Sequence, residues 1–399
     1  MPIKILFFGI DMFVALVKAM QSGTMLATVE GLFTKHGKTF QSNSWGTTVI
    51  NTMDPLLIQT VLANSSEKFG VAPSRIPVVE PLMQDDRTTE FLFGVSQDSL
   101  LAGTKDDMED FIFKFDKSLI GLHTRMFLGK LIFIRGRDTQ LRKDISYAHA
   151  FIDRYFEMAI DRQRSSEIPV EEVSLANYVY LDELVKKTKD KTEVRNQMLN
   201  LFLPARDSTS SATGFIFFHL ARHPDGWMKL REEVISIGDA PITFDLLKSM
   251  KYLKFVVNES LHLLAPAGLS IRTCVKDCVL PRGGGPDGQR PILVRPGTEI
   301  RILFHALHRD RGIWGEYAME FRPERWEELR TTWEYIPFLG GGRICPAQQM
   351  ALTEVSYLVV RFMQEFKSLE NKDPEKKFVA GMNLSMESKN GVKVRFEVA

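Results

Sequence analysis

Phe338-Leu339-Gly340-Gly341-Gly342-Arg343-Ile344-Cys345, followed by Pro346, gathers three glycines, one fixed cation and one thiol in a short stretch. Glycine permits backbone shapes and close approaches that a Cβ forbids, so the triplet lets the chain lie flat against something large. Read locally, Cys345 is expected at a helix N-cap and Pro346 at the first helical position, where its missing N–H is no loss. An apolar helical stripe then runs through Ala347, Met350, Leu352, Val355, Leu358, Val359 and Phe362. A sulfur at such a place meets free N–H groups and the positive end of the helix dipole, which favours its thiolate. Arg343 adds positive charge close by. Two readings stand at this point: an axial thiolate for a planar, anionic, metal-containing ring such as haem, or a free cysteine packed beside a glycine turn.

The elements that position this loop must come from a chain of 399 residues, 44% hydrophobic and 25% charged, long enough for a large core in one domain or two. A formal net charge of +1 gives no footing for a nucleic-acid partner. The three cysteines, Cys274, Cys278 and Cys345, are too few and odd in number for a disulfide framework. Cys274 and Cys278 read as packing residues, because a zinc site would need further ligands at suitable spacing. Residues 1–20 are apolar but carry Lys4, Asp11 and Lys18, which leaves no uncharged run long enough to span a bilayer and no signal-peptide pattern. They read as an amphipathic helix around Met12, Val14, Leu16 and Val17, suited to peripheral contact with a membrane surface, in a chain without a transmembrane anchor.

In chain order, Thr47–Ile50 reads as a strand, and Asp54-Pro55 as N-cap and first residue of a helix with Leu57, Ile58, Val61 and Leu62 on its apolar face. Residues 71–85, with Pro73, Pro77 and Pro81, read as a loop. Helices are expected near 86–101, 106–121, 137–163 and 171–189, and a long one over Lys191–His223. Its middle holds Leu203-Pro204-Ala205-Arg206-Asp207-Ser208-Thr209, a polar, proline-bearing centre in an apolar helix. That is either a kinked site or a break between two helices. A helix opening at His223-Pro224-Asp225 and another over 252–264 follow. Strands are expected at 268–275, 277–281, 291–294 and 298–304, with Arg282–Gly288 a flexible surface turn that lacks the Gly-Lys-Ser/Thr ending of a phosphate loop. Residues 381–398 read as a hairpin turning at Asn390-Gly391. The fold class is therefore mainly α, with a small β-rich part bracketing the cysteine loop.

Five stretches together resemble the cytochrome P450 monooxygenases. Phe338, Gly341, Arg343 and Cys345 match the haem-ligand loop. Ala205-Arg206-Asp207-Ser208-Thr209 is similar to the oxygen-activation segment of the long central helix. Glu259 opens a Glu-x-x-Arg-like helix, Pro266 to Arg272 resembles the strand after it, and Phe321 to Trp326 resembles the Pro-Glu-Arg-Phe region. The resemblance implies a single P450 domain over 1–399: an N-terminal α/β part (1–69), a helical part (86–264) and a β-rich part (265–399) with the ligand loop and final helix. It implies haem b, with Cys345 as axial ligand of the iron. Arg343 and Arg272 would pair with propionates, since a guanidinium binds carboxylate bidentately. It casts Asp207 as proton relay, Ser208 as holder of bound oxygen or a water, and Thr209 as a helper. The implied activity inserts one oxygen atom of O2 into an apolar small molecule. Electrons would come from an NADPH-dependent cytochrome P450 reductase at the endoplasmic reticulum membrane surface. The closest likeness is to fungal microsomal alkane and fatty-acid hydroxylases, on the Arg282–Gly288 insertion, the Ala-Arg-Asp-Ser-Thr wording and the segment from Phe8 to Phe40; fungal enzymes of secondary metabolism share these features.

Four places depart from that pattern. Ala347 stands where glycine is usual. Pro204-Ala205 and Ser208 replace a small residue, a glycine and a threonine, and serine lacks the methyl that fixes the rotamer. His262 stands at the arginine of Glu-x-x-Arg; it is shorter and mostly neutral, which implies weaker haem retention. Residues 70–86 read as a shortened segment where the family has helices covering the haem, and the N-terminus reads as truncated. The missing segment and His262 favour an alternative, a degenerate non-catalytic remnant of the fold; alanine at 347 is a tolerable change.

Overall fold

The structure, a computed structural model, describes residues 10–44, 46–71, 113–115, 117–119, 121, 138–165, 179–238, 240–382 and 385–399. The chain opens with helices α1 (Ile10–Ser22) and α2 (Met25–His36), strands β1 (Thr39–Ser44) and β2 (Thr47–Thr52), helix α3 (Pro55–Gln59) and strand β3 (Phe69–Val71). Helices α4 (Thr139–Ser165), α5 (Tyr180–Lys187), α6 (Lys191–Leu220), α7 (Pro224–Ile235), α8 (Phe244–Ser249) and α9 (Lys251–Leu263) follow. Strands β4 (Ser270–Cys274), β5 (Cys278–Gly284), β6 (Arg290–Val294) and β7 (Glu299–Ile302) precede the short helices α10 (Phe304–His308) and α11 (Arg311–Trp314). The chain ends with α12 (Gln348–Glu365), β8 (Phe366–Asn371), β9 (Ala380–Met382), β10 (Met386–Ser388) and β11 (Val394–Val398). The architecture is the expected one, mainly helical with small sheets.

The chain divides into two compact units, Met1–Ala72 with Ser208–Ala399, and Pro73–Asp207. Within the second, Arg195 grips Asp153 of α4 bidentately at 2.7 and 3.0 Å, and Arg162 reaches Asp182 of α5 at 2.8 Å. Leu181, Val185, Val194 and Met198 are buried there. The helix expected over 86–101 and the loop beyond Val71 lie outside the described residues, as do residues 171–178.

In the first unit, the sheet runs β1-β2-β7-β4-β3, with β2 and β7 parallel and the other pairs antiparallel. The described residues of this unit hold two apolar clusters. One gathers Phe215, Phe218, Leu230, Leu253, Val256, Val359 and Met363 from α6, α7, α9 and α12. The other joins the sheet to α2 and α3 through Phe33, Ile50, Leu57, Ile300 and Phe304.

Local chemistry fixes α3 as the sequence implied. The Asp54 carboxylate accepts the N–H groups of Leu56 at 2.9 Å and Leu57 at 3.4 Å, with Pro55 in the first turn. Such a cap stabilises by about 1 kcal/mol. Arg282 then closes on the same carboxylate with two bonds of 2.7 Å.

Two expectations need correction. Residues 282–284 are not part of a free surface turn: they belong to β5, Arg282 is anchored on Asp54, and the turn is confined to Gly285–Gly288. Residues 381–398 do not form one hairpin. A turn does occur at Asn390-Gly391, with Gly391 at φ 73, but β10 pairs back with β9 while β11 pairs with β8. The register was set by which apolar faces reach the helical cluster, where Phe396 packs on Phe217, Phe362 and Phe366. The long helix expected over Lys191–His223 is present: α6 runs through Pro204 as one helix of 30 residues, and of the two readings left open the break into two helices is not observed.

Candidate active site

The cysteine loop is presented by a stretch that leans on both apolar clusters at once. Tyr335 and Phe338 pack on the helical cluster, while Ile336, with Trp333 and Leu339, belongs to the sheet-side cluster. Two rows, each spaced by three residues, therefore face opposite ways. The Leu339 N–H donates to the Ile336 carbonyl at 3.0 Å, and the Cys345 N–H donates to the Phe338 carbonyl at 2.9 Å, closing the loop. Leu339, at φ 63, is the only non-glycine left-handed residue among the described residues. Strain of this kind, about 1–3 kcal/mol, persists only where surrounding packing enforces it.

Gly341 explains itself by contact. Its φ is 66, and a Cβ there would sit 2.1 Å from the Leu62 carbonyl oxygen. Leu62 lies in a π-helical turn, Thr60–Asn64, that continues α3. The loop thus rests on backbone, and that backbone is held by the Asp54–Arg282 pair at the other end of α3. Gly340 backs onto the Trp333 ring, where a Cβ would come within 2.8 Å. Gly342 faces open space.

The helix after the loop starts later than the sequence implied. Helix α12 begins at Gln348 with Ala347 in the cap position, so Cys345 and Pro346 precede it rather than open it. The hydrogen bonds show this: only a long 3.4 Å bond from the Gln348 N–H reaches the Cys345 carbonyl, three residues back, and the four-residue helical bond begins with the Ala351 N–H on the Ala347 carbonyl at 2.9 Å.

These residues fit a haem. Cys345 is a free, half-buried thiol, the soft donor that iron in a thiolate-ligated haem takes. Beside it, Gly342, Arg343 and Ile344 are exposed, Ile344 to 48%, giving a flat, apolar and cationic surface against which an anionic ring can lie. Arg272, buried in β4, donates to the Ser270 hydroxyl and the Ile271 carbonyl, both at 2.9 Å. Asp207 and Ser208 are half-buried in the middle of α6. The side chains of residues 200–206 lie outside the described residues.

Behind the loop, Glu259 of α9 is fully buried and takes every donor within reach. The Arg322 N–H comes to 2.7 Å, the Trp326 indole N–H to 2.8 Å, and the Arg325 guanidinium to 2.9 Å. Burial pushes its carboxyl up to about 7, against the pull of Arg325 and the two N–H groups. His262 takes no part. Its Nε2 meets the Ala318 carbonyl at 3.1 Å and its ring lies 4.2 Å from that of Trp314. Burial, then the nearby Arg325 charge, lowers its pKa to about 3, so it is neutral. The carboxylate clamp is complete without residue 262. Sequence reasoning quoted Trp326 as part of a motif but missed that its indole supplies the donor. It missed His308 and Tyr335 altogether, because no local spacing marks them.

The family model for Cytochrome P450 matches residues 82–394. Among curated proteins, Cytochrome P450 monooxygenase fsdH of Fusarium heterosporum is 37% identical over 323 residues, covering 78% of this chain and 56% of that protein. Cytochrome P450 monooxygenase FPY7 of Fusarium mangiferae is 32% identical over 461 positions, covering 100% of this chain and 88% of that protein. That alignment is longer than the 399 residues of the chain, so it opens gaps here. Cytochrome P450 52A13 of Debaryomyces hansenii is 41% identical over 304 residues, 72% of this chain and 58% of that protein.

Proposed function

The chain belongs to the cytochrome P450 family of haem-thiolate monooxygenases, and from that premise we propose that it inserts one oxygen atom of O2 into an apolar organic substrate, with Cys345 as the residue whose thiolate would hold haem b. The observation that carries this reading is the loop itself: Gly341 seated on Leu62, the Cys345 N–H tied to Phe338, and a free thiol beside an open glycine face. Haem held there would supply the oxygen activation, with the Cys345 thiolate tuning its electronics. Phe338 and Gly341 shape the loop; Arg343 and Arg272 would hold the carboxylates of the group. Asp207 moves protons at its carboxylate and Ser208 holds a water at its hydroxyl, assignments that rest on the resemblance of Ala205–Thr209.

Family members take electrons from a redox partner and act on organic substrates. For this chain the partner is an NADPH-dependent cytochrome P450 reductase and the place is the endoplasmic reticulum membrane surface. Among the described residues no helix is long and apolar enough to cross a membrane. The substrate is a long-chain alkane or fatty acid, or a fungal secondary metabolite. Nothing among the described residues favours a degenerate fold, since the Glu259 clamp is intact with histidine at 262.

The test is spectroscopic. Purified chain, reduced and exposed to carbon monoxide, is expected to give the strongly red-shifted Soret band of a thiolate-ligated haem, and Cys345→Ala is expected to lose it. A band unchanged in the variant removes Cys345 as ligand; no haem in the wild-type chain removes the enzyme reading.

A further inference from the structure

We propose that His308 is a positioning residue for the cysteine loop: its ring Nε2 accepts the backbone N–H of Ile336 at 3.0 Å and fixes the turn that presents Cys345. Both partners are shut away from water, His308 at 0% and Ile336 at 4% exposure, so a donor deprived of this acceptor has no replacement. The neighbouring bonds make the site consequential. The carbonyl of Ile336 takes the Leu339 N–H, the bond that closes a turn whose last residue is held left-handed. One residue earlier, the Phe338 carbonyl takes the Cys345 N–H. Ile336 thus has its N–H fixed by His308 and its C=O fixed by the turn, and the loop hangs from it.

The ring is itself held in place. Tyr335 lies 5.3 Å away, Phe304 6.1 Å and Trp314 6.5 Å, and the Tyr335 hydroxyl anchors on the Asn258 carbonyl at 3.1 Å. Acceptance by Nε2 requires the neutral ring. Burial drives the His308 pKa well down, with His262, His305 and Arg309 acting in the same direction and the Leu261 carbonyl opposing. The segment leading to the cysteine loop is therefore tied to α9 by a phenol and to α10 by an imidazole.

This inference rests on Cys345 being the haem ligand, and its test separates the two. His308→Phe keeps a ring without an acceptor; His308→Gln keeps an amide oxygen able to take the same N–H. In the haem-free chain, Cys274 and Cys278 are buried and Cys345 is half-buried, so an aromatic disulfide reagent reports on Cys345. Labelling is expected to speed up about tenfold in His308→Phe and to stay within about twofold of wild type in His308→Gln, the scale of one lost buried hydrogen bond. In the haem-loaded chain, the red-shifted carbon monoxide band is expected to fall in His308→Phe and persist in His308→Gln. Labelling and spectra of His308→Phe equal to wild type, even with a lowered melting temperature, overturn the proposal, as does a Gln variant as impaired as Phe. Should Phe overpack the site, His308→Met makes the same comparison. A red-shifted band surviving in Cys345→Ala would sink the ligand assignment alone, because the labelling readout needs no haem.

Discussion

The cysteine loop is supported differently on its two sides. In front, Gly341 lies against the carbonyl of Leu62, with no room for a side-chain carbon. Behind, the support is polar: Glu259 with Arg322, Arg325 and Trp326, and beside it a group of neutral aromatic and imidazole rings around His262, Trp314 and Tyr335. A steric contact between two backbones tolerates only one residue type. A hydrogen-bonded clamp tolerates substitution wherever another donor can fill the same acceptor. That difference explains why histidine can stand at 262, as Trp326 and Arg325 already saturate Glu259, while glycine is required at 341.

The largest expected effect is at the front. Gly341→Val adds left-handed strain to an unavoidable collision, a loss of about 4 kcal/mol with failure to retain haem. Thermal unfolding and haem content measure it, and a variant that melts within a degree of wild type would refute the front contact.

At the rear, Glu259→Gln turns an amide towards groups that only donate. Removing one partner of a buried pair in this way is expected to cost about 3 kcal/mol in chemical denaturation. A cost below about 1 kcal/mol, the worth of one ordinary hydrogen bond, would mean that the carboxylate does not organise the rear support.

Taken per pH unit, the smallest effect is that of pH. The folded pKa of His262, about 3, lies below its ordinary 6.5, so the unfolded chain binds the proton first. Stability is therefore fully present above about pH 6.5 and falls as pH drops towards the folded value, by at most about 1.4 kcal/mol per pH unit from this residue. Glu259 has the opposite sign. Its folded pKa, about 7, lies above its ordinary 4.5, so it contributes stability at low pH that is lost as pH rises through 7. Arg325, Arg309, His305 and His308 also face His262. Stability curves between pH 4 and 7 for wild type and His262→Gln should diverge on the acid side, with the variant flatter. Parallel curves would show that another group carries the proton.

Much of this was legible in residue order. The Asp54-Pro55 cap, the strands that frame β4 to β7 and the helix through Glu259 are local patterns, because a cap or an alternating stripe involves neighbours in sequence. The Phe338–Cys345 spacing pointed to a thiolate ligand for the same reason. Elsewhere local rules failed. Cys345 satisfied the pattern of a helix cap, but the helix starts two residues later, with the Ala347 carbonyl taking the Ala351 N–H. Asn390-Gly391 did turn the chain, yet the strand after it paired with β8, since Phe396 gains more by joining the Phe217 and Phe362 cluster than by facing β10.

The sequence by itself determined the kind of chemistry: a free thiol, a cation and three glycines at fixed spacing suit an axial thiolate under a flat anionic ring, and their order along the chain marks the family. Only the tertiary structure decided how that loop is held. The partners of Gly341, Glu259 and Ile336 are Leu62, Arg325 with Trp326, and His308, each far away along the chain. Contacts of that range are chosen by packing and by the need to satisfy buried polar groups, which no window of neighbouring residues contains.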